Sequence, residues 1–242
     1  MEMIAGAAFV AIVVFLSGCG NSQDETEKGS GNIVKEERPV SGFSRVCIYG
    51  ASELIVTQGD QESLFIEADD NLLPLIETEV SHGMLSIGPK DRHEIRPSKP
   101  IQINLAVKKL DGITLSGATN VKASCLTAEK LEVTTSGSGK ITIDALNARA
   151  LTVRISGSTD CNLAGRADRQ TIVISGSGSY QAGKLASQSV ELTINGSGDA
   201  EVWAAETLNL NVSGSGHVDY HGRPRMTQQV SGGGRVTSLD RP

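Results

Sequence analysis

The sequence predicts an all-β protein: a single-stranded, right-handed parallel β-helix (solenoid) with coils of about 18–20 residues and an irregular N-terminal cap region. Three observations predict it. A small-residue turn recurs as SGAT at 116, SGSG at 136, SGST at 156, SGSG at 175, NGSG at 195, SGSG at 213 and SGGG at 231, at intervals of 20, 20, 19, 20, 18 and 18 residues. Both flanks of each turn alternate apolar and polar with a period of two, which is strand patterning. No helix fits between the turns, so equivalent columns stack, one repeat upon the next, with parallel strands about 4.8 Å apart.

Composition sets the kind of core and removes several classes of partner. The chain has 242 residues, 27 of them Gly and only eight aromatic (four Phe, three Tyr, one Trp). Apolar residues still make up 38%, so the interior is aliphatic. Gly without a triplet period excludes collagen, and the scarcity of Pro excludes a proline-rich stalk. The net charge is −6, from 22 basic and 28 acidic residues. No basic stripe meets phosphates, so nucleic acid is not a partner.

From the N-terminus, residues 4–16 (IAGAAFVAIVVFL) form an apolar run of 13, too short to span a bilayer and suited to a signal-peptide core. It ends in Leu16-Ser17-Gly18-Cys19, which resembles a bacterial lipobox. Residues 1–18 are therefore expected to be a lipoprotein signal peptide, with Cys19 carrying the lipid. Met1-Glu2-Met3 departs from the pattern, having no Lys or Arg. Acyl chains on Cys19 would make the membrane a partner, each buried methylene contributing roughly 0.8 kcal/mol. Gly20 stands where an inner-membrane retention signal would place Asp, so the expected address is the outer membrane, facing the periplasm or the cell surface. Residues 19–37, polar and Gly/Ser-bearing, read as a flexible tether, and residues 38–240 as the folded domain.

Residues 40–110 follow the same grammar less regularly. Arg45–Ser52 (RVCIYGAS) aligns with Gly112–Thr119 (GITLSGAT), making Gly50 the corner of an earlier coil. Leu54/Val56, Leu64/Ile66, Leu85/Ile87 and Ile101/Ile103/Leu105 alternate as strands. Residues 69–82 and 88–99 are expected to be loops or a cap over the open end of the stack, whose edge would otherwise invite polymerisation.

In the ladder, with the first turn residue at position zero, column −1 reads Leu115, Thr135, Ile155, Ile174, Ile194, Val212, Val230 and column −3 reads Ile113, Val133, Val153, Ile172, Leu192, Leu210, Gln228. Column +5 reads Val121, Ile141, Cys161, Tyr180, Ala200, Val218, Val236. These three columns face inward. Gly117, Gly137, Gly157, Gly176, Gly196, Gly214 and Gly232 share one corner, where a tight turn needs positive φ or close backbone approach. A phosphate loop is excluded at SGSG, because no Lys follows and no helix begins there.

GNIVKEERPVSGFSRVCIYG (31–50), IEADDNLLPLIETEV (66–80) and the SGSG ladder together resemble the auto-transporter adhesin, head GIN domain family of bacterial lipoproteins. The resemblance covers about residues 31–240. It implies a parallel β-helix and an exported, often lipid-anchored protein, and it brings no catalytic motif.

No catalytic, cofactor-binding or metal-ligating residue is assigned. His217-x-x-x-His221 has metal-pair spacing only on a helix, and a strand need not bring the two together. Asp69-Asp70 beside Glu67 is expected to cap the turn before Asn71. No Ser occupies a nucleophile-elbow context. Cys47, Cys125 and Cys161 are expected to remain free thiols, since Cys125 and Cys161 lie on coils too far apart for a bridge. The candidate binding face is the outward pair of columns at −4 and −2, with Thr134, Thr152, Thr171 and Thr193. The expected function is a non-catalytic adhesin or envelope module that binds polysaccharide, an envelope component or a surface protein. The alternatives are a structural or self-assembling envelope element, and a polysaccharide-active enzyme.

Overall fold

The computed structural model describes residues 26–90 and 93–240. In chain order the first strands are β1 (Glu27–Lys28), β2 (Ile33–Arg38), β3 (Arg45–Tyr49), β4 (Ser52–Gln58) and β5 (Ser63–Asp69). A single 3-10 turn, Leu73–Leu75, precedes β6 (Ile76–Ser81), β7 (Met84–Pro89), β8 (Ile95–Arg96) and β9 (Ile101–Val107). The ladder follows as β10 (Gly112–Ala123), β11 (Leu126–Ile155), β12 (Ser158–Ile174), β13 (Ser179–Gly196), β14 (Asp199–Gly214), β15 (His217–His221), β16 (Arg225–Gly232) and β17 (Arg235–Ser238). The longest of these strands run through the corners of the coil instead of stopping at them.

The repeat dictates the topology. Each coil pairs in parallel with the next in the order β10, β11, β12, β13, β14, with β15 and β16 on β14 and β17 on β15, giving a solenoid of about six turns. Arg45 pairs with Gly112 and Ser52 with Thr119, so β3, Gly50 and β4 form the first coil, in the register read from sequence. The three inward columns are buried through Val212 and Val218. One further inward column runs Leu131, Leu151, Gln170, Val190, Leu208. Its polar member is satisfied inside the core: the Tyr180 hydroxyl donates to Gln170 Oε1 at 2.5 Å, and Gln170 Nε2 donates to Ser187 Oγ at 2.5 Å. Burial drives the Tyr180 pKa well upward, so the phenol stays protonated and remains a donor.

Close backbone approach, more than φ alone, explains the glycine corner. At Gly176, φ is +152° and a Cβ would stand 2.6 Å from the Gly157 carbonyl oxygen of the coil below. Gly137 has no φ in the left-handed range, yet a Cβ there would strike the Gly117 carbonyl just as directly. Stacking the corners at strand spacing leaves no room for a side chain between them.

The N-terminal end is closed by antiparallel strands. β4 is followed across the sheet by β9 in parallel and then by β5 and β2 antiparallel, while β3 is followed by β7 in parallel and β6 antiparallel. The outermost strands, β2 (IVKEER) and β6 (IETEVS), carry charges on the free edge, which discourages further pairing. The expected loop at 69–82 thus contributes β6 to a hairpin with β7, and that at 88–99 contains β8, which pairs in parallel with β1.

Three expectations are corrected here. The tether read at 19–37 extends too far, because β1 pairs with β8 and β2 with β5, placing ordered chain before residue 38. The cause lies in side chains distant in sequence. Asp69 Oδ1 accepts from the Gly31 N–H at 2.7 Å, and the Asn71 amide donates to the Lys28 carbonyl at 2.8 Å and accepts from the Ser30 N–H at 2.9 Å. Asp69 and Asp70 therefore clamp a strap, whereas the turn before Leu73 has no side-chain cap. Cys47, which pairs with Thr114 and so falls on outward column −2, is nevertheless buried. The signal peptide at 1–18 and Cys19 lie outside the described residues.

Candidate functional site

The polar face forms because equivalent residues stack in register. Thr114 pairs with Thr134, Thr152 with Thr171, Val173 with Thr193, and Thr193 with Asn211. All four threonines singled out from sequence, Thr134, Thr152, Thr171 and Thr193, lie half-buried on one outward face. The face is not a pure hydroxyl ladder. Arg154 and Val173 interrupt the −2 column, and Glu132 lies 3.6 Å from Arg45 and 3.8 Å from Arg154, spreading its charge across neighbouring coils. Such exposed pairs add little stability. Their chemical effect is a mixed donor–acceptor surface with period about 4.8 Å.

Two concavities flank the solenoid. The larger, about 850 Å³, opens between the first corner and the cap; Tyr49, Glu77, Glu79, Glu94 and His93 stand over an apolar floor that includes Ile87 and Ile103. The smaller, about 410 Å³, is lined by Tyr220, Gly222, Arg223, Pro224, Ser238 and Asp240.

The two histidines of the His217-x-x-x-His221 pattern take separate partners. His217 Nε2 is 3.0 Å from Asp219, whereas His221 Nε2 is 2.9 Å from Glu201 and its Nδ1 3.5 Å from Asp240. The Glu201 carboxylate, helped by Asp240, raises the His221 pKa. No three His, Cys, Asp or Glu among the described residues gather as a metal-binding group. Cys47 and Cys161 are buried free thiols and Cys125 an exposed one. Burial pushes the Cys161 thiol up to about 12, so it packs as an apolar residue and is no nucleophile.

Sequence reading marks Trp203 and Tyr220 as the aromatic candidates of the later coils, but did not foresee the Glu201–His221–Asp240 cluster beside Trp203 or the Asp69 clamp. Columns alone could have placed Glu201 and Asp219 together. Asp240 joins because the parallel ladder continues in register past β17, with the Leu239 N–H donating to the Tyr220 carbonyl at 2.9 Å.

Comparison with known proteins agrees with this geometry. No curated protein matches the chain. A putative adhesin from Bacteroides fragilis NCTC 9343 superposes with a TM-score of 0.82 at 25% identity, covering 88% of this chain and 99% of that one. A putative lipid binding protein from Parabacteroides distasonis ATCC 8503 gives 0.75 at 23% identity, covering 89% and 100%. A putative adhesin from Parabacteroides merdae ATCC 43184 gives 0.70 at 20%, covering 88% and 98%. The last two are likenesses of fold alone. The family model described as putative auto-transporter adhesin, head GIN domain, matches residues 42–224. The chain belongs to that family, a β-solenoid group named for adhesion.

Proposed function

We propose that the protein is a lipid-anchored, non-catalytic module of the outer membrane that holds extended envelope or surface polysaccharide against its solenoid. The observation that carries this is the in-register stacking of the outward columns with Thr134, Thr152, Thr171 and Thr193. A polymer laid along the stack meets an equivalent set of polar groups at each coil. Each hydrogen bond is worth on the order of 1 kcal/mol net, and many act together by multivalency. The similarity to the Bacteroides fragilis putative adhesin supports a surface-binding role.

The anchor in this reading is Cys19, seven residues before the first described residue, Thr26. Even fully extended, that stretch reaches only about 25 Å. The cap end, clamped by Asp69 and Asn71, then sits next to the membrane and the last coil points away from it. Binding of the domain lacking residues 1–19 to a glycan array and to isolated envelope, with and without Thr134, Thr152, Thr171 and Thr193 replaced together by Lys, tests the face. Retained binding by the folded quadruple variant would reduce it to solvated surface. Replacing Cys19 by Ala is expected to move the protein out of the membrane fraction without changing its fold, and retention in the membrane would point to another anchor.

One observation favours the alternative of a self-assembling element. No described residue covers the final coil: Met226 and Val230 occupy inward columns yet are 41% and 40% exposed. β16 and β17 each keep one edge unpaired by any described strand. The charged, antiparallel N-terminal cap cannot continue this parallel stack, so the occupant would be a second copy related by a two-fold axis. In antiparallel pairing centred on Gln228, Met226 would oppose Val230 of the other copy. Sedimentation of the domain decides this, a concentration-independent monomer ruling it out.

A further inference from the structure

The chain contains a single tryptophan, and it is not in the core. Trp203 points outward from β14 and is 42% exposed. In a protein with so few aromatic residues and so aliphatic an interior, an indole kept at the surface is unusual. Its surroundings are fixed. Trp203 pairs in register with His221, and Glu201 with Asp219. The indole and imidazole rings lie 6.4 Å apart and 55° inclined. His221 is held between Glu201 at 2.9 Å and Asp240 at 3.5 Å. Asp240 in turn accepts from the Gly222 N–H at 2.6 Å, so the residues beyond β17 lock the imidazole from the other side. The Gly222 backbone lies against the indole edge, where a Cβ would stand 3.5 Å from Trp203 Cδ1.

The smaller cleft begins at this point, since Gly222 and Asp240 also line it. Arg223 brings a guanidinium, Ser238 a hydroxyl and Asp240 a carboxylate to its wall. An exposed indole beside a small polar cleft offers two kinds of contact at once. The flat ring covers the C–H face of a pyranose, while the carboxylate, hydroxyl and guanidinium bond its vicinal hydroxyls. Four acidic side chains, Asp199, Glu201, Asp219 and Asp240, stand on or beside this surface, so an anionic sugar would meet like charge.

From this arrangement we infer that Trp203, with Arg223, Ser238 and Asp240, forms a saccharide subsite for a neutral or N-acetylated pyranose with an equatorial hydroxyl pattern. The inference rests on the polysaccharide reading above and assigns it a specific anchoring point near the distal end of the solenoid. Uronates and sialylated sugars are disfavoured, because the acidic side chains around the indole outnumber the one guanidinium of the cleft.

The lone tryptophan is its own reporter. Cellohexaose, chitohexaose and oligogalacturonate are titrated into the domain lacking residues 1–19, following Trp emission, with calorimetry in parallel for Trp203→Ala and emission for Arg223→Ala. A saturable emission change with cellohexaose or chitohexaose and none with oligogalacturonate is expected. Trp203→Ala should weaken binding about tenfold with an unchanged melting temperature. Unchanged emission, equal binding by Trp203→Ala, or a response to oligogalacturonate alone would overturn the subsite. If the domain still binds immobilised polymer while emission and Trp203→Ala are both silent, only the subsite falls and the threonine face stands. If it binds no polymer at all, both fall.

Discussion

Replacing Gly176 by Val tests whether the glycine ladder is a requirement of the fold or a habit of composition. At φ +152°, with the Gly157 carbonyl oxygen 2.6 Å from the site of a Cβ, the new side chain is both strained and obstructed. The backbone strain contributes about 1–3 kcal/mol. The obstructed oxygen is also the acceptor for the Ser177 N–H at 3.0 Å, and losing that bond adds about 1 kcal/mol. The coil cannot slip aside, because the Gly176 carbonyl is itself bonded to the Ser197 N–H at 3.0 Å on the next coil. The expected destabilisation is about 2–4 kcal/mol, or a fall in Tm of about 5–15 °C for a domain of this size. Gly176→Ala should lie at the lower end. Gly233→Ala is the control from the final turn, where a Cβ would meet only Ser215 Oγ at 3.7 Å. Its Tm should hold or rise slightly. Thermal unfolding by circular dichroism compares the three, and equal Tm values for the Gly176 and Gly233 variants would refute the reasoning.

Thr135 occupies inward column −1, is buried, and has a hydroxyl without a hydrogen-bond partner. Thr135→Val keeps the shape and removes the unsatisfied group, so stability should rise by about 1 kcal/mol in denaturant titration; a loss would mean that the hydroxyl is satisfied in solution. Bonding from Ser98, then from the backbone at Ser98 and Gly31, holds the Asp69 carboxyl below its ordinary 3.8. A depressed folded-state pKa gives stability that is complete above the unfolded value and is lost as pH falls through the folded one. Hydrogen exchange in residues 26–32 should therefore accelerate below about pH 3.8 before the coils open, and Asp69→Asn should reproduce that release at neutral pH. In the domain lacking residues 1–19, a thiol reagent should titrate Cys125 in the native state and reach Cys47 and Cys161 only on unfolding. A Cys125–Cys161 bridge found by mass spectrometry would overturn the coil register.

The ladder was legible because a solenoid makes long-range structure periodic in sequence. A side chain on coil n meets its counterpart 18–20 residues away, so columns of letters are already columns in space. That is why the inward Ile172, Leu192 and Leu210, the corner at Gly50 and the outward threonines fall where their spacing put them. The cap escaped this logic. β5 pairs with β2 and β9, and β6 with β7, antiparallel and out of period, so no repeat announces those contacts. The strap at 26–32 is polar and reads as tether; the Asp69–Asn71 clamp and the pairing of β1 with β8 hold it in place.

The sequence by itself determined the all-β class, the coil length, the inward columns, the glycine corner and the stacked polar face. Each follows from local alternation and a fixed period, which the chain carries without reference to distant parts. Only the tertiary structure decided which polar residues converge. Tyr180 meets Gln170 inside the core from the other side of the Gly176 corner, and the His221 imidazole takes Glu201 on one side and Asp240 on the other. Those meetings depend on where the corners bend and on which way each side chain reaches, and the period of the columns records neither.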